Sequence, residues 1–460
     1  MISGLIPEYL VEMTPPVSVT AALGLLMCLG FFTLTSALSE SPLPGILKLK
    51  GYPILGAIPI YFRDGMALML EKLTTLADDG ISYAQVGNKI LVSVHDPTMA
   101  KEVLAFTDKV ASRLGDPRVF SWSPFWTLIR LLDNNLFDDV GHEAMRQRGM
   151  FNREFSNPAS NVGKFDGIME VASAHVESIA GSLDRGEVVA DIRRAADTYG
   201  LAPGKPVASE AKVRAEIESI YDRNVEHLEE YESNNPEAPM KTIRSLSVAD
   251  GGKRSGPLTK FAIQFARLNV FGGHHGIGSN ITWIMIELQR RPEILAKLLA
   301  EIDSFDAIDF TTVTTKMPYL DAVVMEINRL YPSVPATLRV IERETGIRSC
   351  KKPVALKPGM LVYLSYLHMH TSPKYWGSDA GEFDPNRFLN GIDKSRPFMP
   401  FGSGTRDCVG YKFALLSVKV FLVTLLKTYD FKVEENNCTP KLNTLLETSG
   451  PVRVEFSRRA

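Results

Sequence analysis

The sequence predicts a mainly α-helical domain with a small β portion, placed after a single membrane-spanning helix. Long helical patterns dominate beyond residue 141, whereas strand-like segments recur only around residues 81–95 and 335–366. An uncharged N-terminal stretch indicates the membrane helix. With 45% hydrophobic and 23% charged residues the composition is globular, and the net charge of −2 excludes binding to nucleic acid through bulk charge.

The N-terminal stretch at residues 17–38 contains 22 residues without a charge, enough for a helix to cross the hydrocarbon core of a bilayer. Residues 1–16 contain acidic side chains and no Lys or Arg, unlike the start of a secretory signal peptide. The first positive charges after the stretch are Lys48 and Lys50, so the positive-inside rule places the following chain in the cytosol. We therefore expect a lumenal segment at 1–16, an anchor at 17–38 and, because four prolines stiffen it, a hinge at 39–60.

Local patterns predict the elements of the remaining chain in order. Apolar periodicity, caps and prolines indicate a hairpin at 81–95, helices at 141–155, 209–232, 261–288 and 319–331, short strands at 335–366 and an apolar helix at 409–428. Pro332 marks the end of the fourth helix, because proline disfavours the helical conformation in the residue before it.

The most informative segment is residues 401–410, FGSGTRDCVG. Gly402 and Gly404 permit a positive φ and let the backbone approach a flat ligand, while Arg406 can pair with an anionic substituent. Cys408 comes just before the apolar helix, whose N-terminus favours a thiolate over a thiol. The chain's four cysteines show neither a disulfide framework nor metal-site spacing. Taken alone, Cys408 is also compatible with a buried structural cysteine beside a glycine-rich turn.

This segment resembles the haem-binding loop of the cytochrome P-450 superfamily. The matching positions are Phe401, Gly404, Arg406, Cys408 and Gly410. The resemblance implies the cytochrome P-450 fold, with a single large haem-thiolate catalytic domain at 61–460 and haem b as cofactor. It also implies that Cys408 is the axial ligand of the haem iron, and that the other matching residues, with Gly402, bind the cofactor.

Two further segments resemble family motifs and appear in the family's order. Glu326-Ile-Asn-Arg329 resembles the E-x-x-R helix motif, whose charged side chains share a helix face. Phe383-Asp-Pro-Asn-Arg387-Phe388 resembles the segment whose arginine joins that pair. The resemblance implies that Glu326, Arg329 and Arg387 are structural and hold the cysteine loop against the haem.

Two arginines resemble those that bind the haem propionates. Arg148 lies on the predicted helix at 141–155, but the position four residues earlier, where the family usually has Trp or His, is Ala144. Arg339 resembles the arginine that precedes the small sheet. The resemblance favours propionate binding for both, and the alternative for each is a solvated surface arginine.

The oxygen-activating motif departs from the family pattern, in which a small residue and Gly are followed by an acid and Thr. Gly272 and Gly273 keep room for a ligand, but His275 occupies the acid position and Gly276 the threonine position. Three interpretations remain open: His274 or, by its motif position, His275 relays protons; a substrate hydroxyl or a water donates them; or the enzyme does not activate dioxygen.

The interval between Arg148 and Gly273, at 273 − 148 = 125 positions, is short for a membrane-anchored member of the family that the chain resembles. Either the roof of the substrate pocket is reduced, or the chain derives from an altered gene model. We expect substrate contacts from residues 112–126, from the Gly272 region and from the residues after Pro332.

The resemblance implies a monooxygenase anchored in the endoplasmic reticulum membrane, with its catalytic domain in the cytosol. It would insert one oxygen atom from O2 into a hydrophobic small molecule, with electrons from an NADPH-dependent flavoprotein reductase and cytochrome b5 as a further partner. The short form and unusual motif resemble fungal secondary-metabolite members. Lys394, Arg396 and Lys412 are candidates for the reductase-docking face or for plain solvation. The alternatives are an O2-independent or peroxide-using enzyme and a catalytically silent haem-binding protein.

Overall fold

The computed structural model describes residues 41–51, 57, 69–87, 89–107, 109–112, 142–156, 158–184, 242–253, 257–349, 353–435, 438–442 and 445–459, with the isolated positions 219, 226, 230 and 234. The segments predicted at 1–16 and 17–38, most of the helix predicted at 209–232 and residues 113–126 lie outside these ranges. Within them, no helix combines the length and the apolar character needed to cross a membrane. The chain divides into two compact units, residues 1–92 and 93–460.

The first unit contains the hairpin that the sequence predicts. Strand β2 (Ile81–Val86) is followed by strand β3 (Lys89–Val94), within which the division between the units falls. Gly87 has φ of 59° at the turn between them, a conformation that glycine adopts without strain. Strand β1 (Leu47–Lys48) pairs with β2 in parallel. The predicted hairpin is confirmed.

Helices dominate the second unit, as predicted. They are α1 (Pro97–Leu104), α2 (His142–Phe151, continued by a π-helical turn at Asn152–Ser156), α3 (Pro158–Asp184), α4 (Thr242–Ala249), α5 (Lys260–Arg290), α6 (Pro292–Asp303), α7 (Pro318–Leu330), α8 (Tyr366–Thr371), α9 (Pro373–Trp376) and α10 (Tyr411–Thr428). A π-helical turn at Thr312–Lys316 and 3-10 turns at Pro385–Phe388 and Gly404–Arg406 connect them. The expected helices at 141–155, 261–288, 319–331 and 409–428 therefore form, with ends shifted by a few residues.

The start of α7 is fixed by a contact from another helix. Pro318 occupies the first turn, where its missing N–H costs no helical hydrogen bond. The Glu301 carboxylate of α6 then accepts hydrogen bonds from the backbone N–H groups of Tyr319 and Leu320, both at 2.8 Å. These bonds satisfy two of the donors that a helix N-terminus leaves free, and they fix the start of α7 against the end of α6.

The largest core joins the C-terminal half of α5 to α6, α7 and α10. Its fully buried side chains include Trp283, Leu298, Val323 and Leu422. Apolar burial of this kind is the main favourable term in folding. It fixes the two helices that carry the candidate site residues, α5 and α7, against α10, the helix that follows Cys408.

Among the described residues of the second unit, short strands form three small pairs and an arrangement of three strands. In the latter, β4 (Ala111–Ser112), β5 (Ala336–Ile341) and β8 (Leu361–Ser365) pair antiparallel. Three further antiparallel pairs are formed by β6 (Thr345–Ile347) with β7 (Val354–Leu356), β9 (Tyr429–Val433) with β12 (Val454–Arg458), and β10 (Pro440–Leu442) with β11 (Leu446–Thr448). The strands at 335–366 were predicted, whereas those at 429–458 were not.

Candidate functional site

The cysteine loop is held by backbone contacts at both ends. The Cys408 N–H donates to the Phe401 carbonyl at 2.8 Å, which closes the loop, and the Gly402 N–H donates to the Met399 carbonyl at 3.0 Å. Gly404 has φ of 79°, and a Cβ there would lie 2.5 Å from the Leu104 carbonyl oxygen at the end of α1. Glycine is therefore needed at position 404 for both conformation and space.

Cys408 lies before α10 rather than in its first turn. The helix begins at Tyr411, with Gly410 as its N-cap, and the Cys408 N–H is already engaged by Phe401. The side chain of Cys408 is exposed, although Arg406 in the same loop is buried. The backbone is thus fixed while the thiol remains accessible, which suits a thiolate that must reach a ligand.

Two predicted propionate-binding arginines lie close to Cys408. Arg148 forms an ion pair with Asp407, the residue directly before the cysteine. Burial lowers the pKa of Arg148 and the charge of Arg406 lowers it further, while Asp407 and Cys408 act in the opposite direction. The structure therefore brings Arg148, Arg406 and Cys408 together around Asp407, a residue that no sequence pattern indicated, and the binding of propionates by the two arginines stays a prediction.

Arg339 lies within strand β5 rather than before the small sheet. Its Nη1 donates to the Thr337 hydroxyl at 3.1 Å and to the Leu338 carbonyl at 3.0 Å. The side chain is buried, which excludes a solvated surface arginine. Its contact with a propionate stays a prediction.

The predicted charged cluster on α7 is fully formed. Glu326 and Arg329 are both 0% exposed and make two hydrogen bonds, at 2.7 and 2.6 Å. Arg387 Nε lies 3.5 Å from the same carboxylate. Burial raises the pKa of Glu326, and Arg329, the Asp384 N–H and Arg387 oppose that effect. Because Arg329 also donates to the carbonyls of His370, Ala380 and Glu382, the cluster ties two backbone segments to α7.

His370 links this cluster to the cysteine loop, and the sequence analysis missed it. Its carbonyl accepts from Arg329 at 2.9 Å, and its Nε2 accepts from the Met399 N–H at 2.8 Å. Complete burial, followed by the charge of Arg329, lowers its pKa to about 3, so the imidazole is neutral. A lone histidine in a short helix carries no sequence signal for such a role.

On α5, the glycines leave space beside a histidine. Gly272 is exposed, Gly273 is half-buried, and a Cβ at Gly272 or Gly276 would meet no described atom within 4 Å. The His275 Nε2 lies 3.7 Å from an Oε1 of Glu447 on β11. The side chain of His274 lies outside the described part of the chain. The sequence analysis did not identify Glu447, because pairing across 172 positions leaves no local pattern.

The residues present fit a haem group. An accessible thiol stands in a fixed loop with two guanidinium groups beside it, which is the donor set that an iron and two propionates require. A Cβ at Gly410 would also meet no described atom within 4 Å, so the backbone there can pass a macrocycle closely. The open glycines of α5 meet the same requirement.

The three residues considered for a docking face differ in exposure. Lys394 is exposed, whereas Lys412 and Arg396 are half-buried. Arg396 lies 3.4 Å from Asp393 and over the ring of Trp376. Only Lys394 thus has the full exposure that docking would use, and the docking role stays a prediction.

Comparison with known proteins connects this geometry to one family. The family model described as "Cytochrome P450" matches residues 204–456, more than half of the chain. Cytochrome P450 3A5 of Homo sapiens is 31% identical over 204 residues, covering 41% of this chain and 38% of that protein. Cytochrome P450 52-M1 of Starmerella bombicola is 30% identical over 216 residues, covering 41% and 40%. The matched part thus spans about two fifths of the length of these relatives.

Proposed function

This chain belongs to the cytochrome P450 family, and from that premise we propose that it is a haem-thiolate monooxygenase. It inserts one oxygen atom from O2 into a hydrophobic small molecule. The observation that carries the proposal is the accessible Cys408 thiol, held in a backbone-bonded loop beside Arg148 and Arg406.

The chain's own residues divide the work of holding haem b. Cys408 would supply the thiolate ligand, while Arg148, Arg406 and Arg339 would bind the propionates. Phe401 and Gly402 shape the loop, and Gly404 keeps it against α1. Glu326, Arg329 and Arg387 have a structural role: through His370 they support Met399, which lies two residues before the loop segment. When bound, the haem supplies the redox chemistry of oxygen, with electrons delivered from NADPH.

Helix α5 would provide space for a small ligand and a group that can carry a proton. Gly272 and Gly276 leave room for a small ligand, as does the neighbouring Gly273, which has no side chain, and the imidazole of His275 can both donate and accept a proton. His275 thus takes the place of the family's acid, while position 276 supplies no side-chain donor.

The absence of a side chain at position 276 favours a second candidate function. Because Gly276 has no hydroxyl, the chain fits an O2-independent or peroxide-using haem-thiolate enzyme, such as an isomerase, dehydratase or peroxygenase. Turnover that needs neither NADPH nor dioxygen would support this candidate over monooxygenation. A catalytically silent haem-binding protein would bind haem and carbon monoxide without any turnover.

The biological setting follows from the sequence features. We place the chain in the endoplasmic reticulum membrane through residues 17–38, with residues 61–460 as the cytosolic catalytic domain and 39–60 as the hinge. Its partners are an NADPH-dependent flavoprotein reductase and cytochrome b5. Its substrate belongs to secondary metabolism, in line with the short interval before α5 and the unusual motif on it.

A ferrous carbon monoxide difference spectrum of membranes that express the chain tests this function. We expect a strongly red-shifted Soret band for the wild type and its loss in Cys408→Ser. Cys438→Ser is the matched control, because Cys438 is a buried cysteine whose thiol lies 3.6 Å from the Glu434 carbonyl, away from the loop. Absence of the band in the wild type, or its persistence in Cys408→Ser, would reject the haem-thiolate assignment.

A further inference from the structure

A carboxylate from the C-terminal hairpin lies against the histidine that replaces the acid of the oxygen-activating motif. The His275 and Glu447 side chains are 16% and 19% exposed, and their nearest atoms, Nε2 and Oε1, are 3.7 Å apart. The Nε2 atom itself is shielded from solvent. A charged or polar pair in such a shielded place interacts more strongly than at the open surface.

The hairpin formed by β10 and β11 is fixed, at the residue before Glu447, to α5 and to Ser333 in the segment that follows α7. The Ser279 hydroxyl of α5 donates to the Leu446 carbonyl at 3.4 Å, and the Leu446 N–H donates to the Ser333 carbonyl at 3.1 Å. His275 and Ser279 are four residues apart and therefore share one face of α5. Both backbone groups of Leu446 are thus held, which places Glu447 beside His275.

The same helix turn is stabilised by a second set of hydrogen bonds. The Gly276 carbonyl accepts from Asn280 Nδ2 at 3.1 Å and from the Ser333 hydroxyl at 3.3 Å. The Asn280 amide oxygen in turn accepts from Asn328 Nδ2 at 2.8 Å. Ser333 therefore contacts both the glycine turn of α5 and the hairpin, so the two elements that carry His275 and Glu447 share one anchor.

His275 also borders the open face of α5. Gly272 and Gly276 are four residues apart and form a bare stripe, and a residue three positions after Gly272 lies on the neighbouring stripe. A group on that stripe reaches both the hairpin on one side and the glycine space on the other.

We propose that Glu447 is a positioning residue that holds His275 as the proton donor and acceptor of the site, and this rests on the proposed function. At 3.7 Å the negative carboxylate favours the proton on Nε2 electrostatically and stabilises the charged imidazole, which leaves Nδ1 to exchange protons. In one cycle Nδ1 releases one proton to the site and regains one from solvent, so the pair returns to its starting charge. The carboxylate that the motif lacks on α5 is thereby supplied by β11.

The first test measures the tautomer of the His275 imidazole. In protein labelled with 15N-histidine, the resonances of His275, one of eight histidines, are identified by their loss in His275→Asn. We expect the Nε2–H tautomer in the wild type and a mixture of tautomers in Glu447→Met, which has no acceptor. Glu455→Met is the matched control, because Glu455 is exposed on β12. An unchanged tautomer in Glu447→Met would overturn the proposal, and the measurement does not require turnover.

The second test separates positioning from structural support. The probe is reductase-supported NADPH oxidation without added substrate, in samples with equal carbon monoxide difference bands. We expect Glu447→Met and His275→Asn each to slow oxidation about tenfold or more, and the double variant to be no slower than His275→Asn. Multiplicative losses in the double variant, or a rate for Glu447→Met equal to that of Glu455→Met, would contradict the pairing. A missing band in every sample would reject the proposed function instead.

Discussion

The guanidinium of Arg148 on α2 is held in an ion pair by the carboxylate of Asp407, the residue directly before Cys408. The arginine side chain is 14% exposed and the aspartate 43%, so the pair forms at the edge of the site rather than in the core. Burial lowers the pKa of Arg148, and Asp407 is the largest influence that opposes this effect. Asp407 thus orients the arginine on a helix whose position 144 is alanine instead of an aromatic partner.

The first prediction follows from this pair. Replacing Asp407 with Asn leaves Arg148 partly buried without a counter-charge, and we expect a loss of about 1 kcal/mol in the free energy of unfolding, a modest value because Asp407 faces solvent. Urea unfolding at neutral pH measures the loss. Asp393→Asn is the control, since the Asp393–Arg396 pair is more exposed, with atoms 3.4 Å apart. Equal losses in the two variants would show that the Arg148 pair has no special role.

The second prediction concerns the buried cluster on α7. Glu326→Gln leaves Arg329, which is 0% exposed, without its counter-charge, and we expect a loss of about 3–5 kcal/mol. The measurement is the urea midpoint of the purified variant, or its soluble yield if it does not fold. Asp379→Asn removes another, 58% exposed partner of Arg387, and we expect a much smaller loss there because solvent screens that pair. A loss as small as that of Asp379→Asn would show that the charge of Glu326 is not needed to stabilise the buried Arg329.

The helical elements were predictable because their signals are local. Residues 261–288 and 319–331 carry apolar periodicity, and Pro332 ends the latter helix by its effect on the residue before it. The glycines at 402 and 404 were predictable for the same reason, since positive φ is a property of one residue. The strands at 429–458 were missed because β9 pairs with β12 across a long interval of sequence, and because β10 and β11 are only three residues long.

The long-range partners of Arg148, His370 and His275 could not be predicted from the sequence. Asp407 was visible in the loop, but its pairing with Arg148 depends on how α2 packs, and the contact of His370 with Met399 depends on where α8 lies. Glu447 meets His275 only because Leu446 is held by Ser279 and Ser333. Such long-range contacts arise from tertiary packing, which overrides local propensity and leaves no spacing pattern.

The third prediction is a pH dependence that arises from His370. In the folded protein burial lowers its pKa to about 3, whereas an unfolded chain protonates histidine near pH 6.5. Between these values the unfolded state binds more protons, so the contribution is complete above about pH 6.5 and is lost as the pH falls. We expect the free energy of unfolding of the wild type to fall by about 2 kcal/mol more than that of His370→Gln between about pH 7 and 5.

Urea unfolding of both proteins across that range measures the difference. Glutamine retains an oxygen that can accept from the Met399 N–H but does not titrate, so any constant loss of packing cancels from the slope. Parallel pH profiles for the two proteins would show that His370 takes up a proton in the folded state, against the neutral form assigned here.

The fourth prediction separates backbone strain from steric contact at Gly404. Alanine at position 404 must adopt φ near 79° and place its Cβ 2.5 Å from the Leu104 carbonyl, so the loop or the end of α1 has to shift. Gly391 has φ of 85°, and a Cβ there would meet no described atom within 4 Å, so Gly391→Ala reports strain alone. We expect about 1–2 kcal/mol of destabilisation in Gly391→Ala and at least twice that in Gly404→Ala.

Urea unfolding gives both values, and the carbon monoxide difference band should weaken only in Gly404→Ala, because only that contact positions the loop of Cys408. Equal destabilisation with an unchanged band would mean that the loop does not depend on its packing against α1.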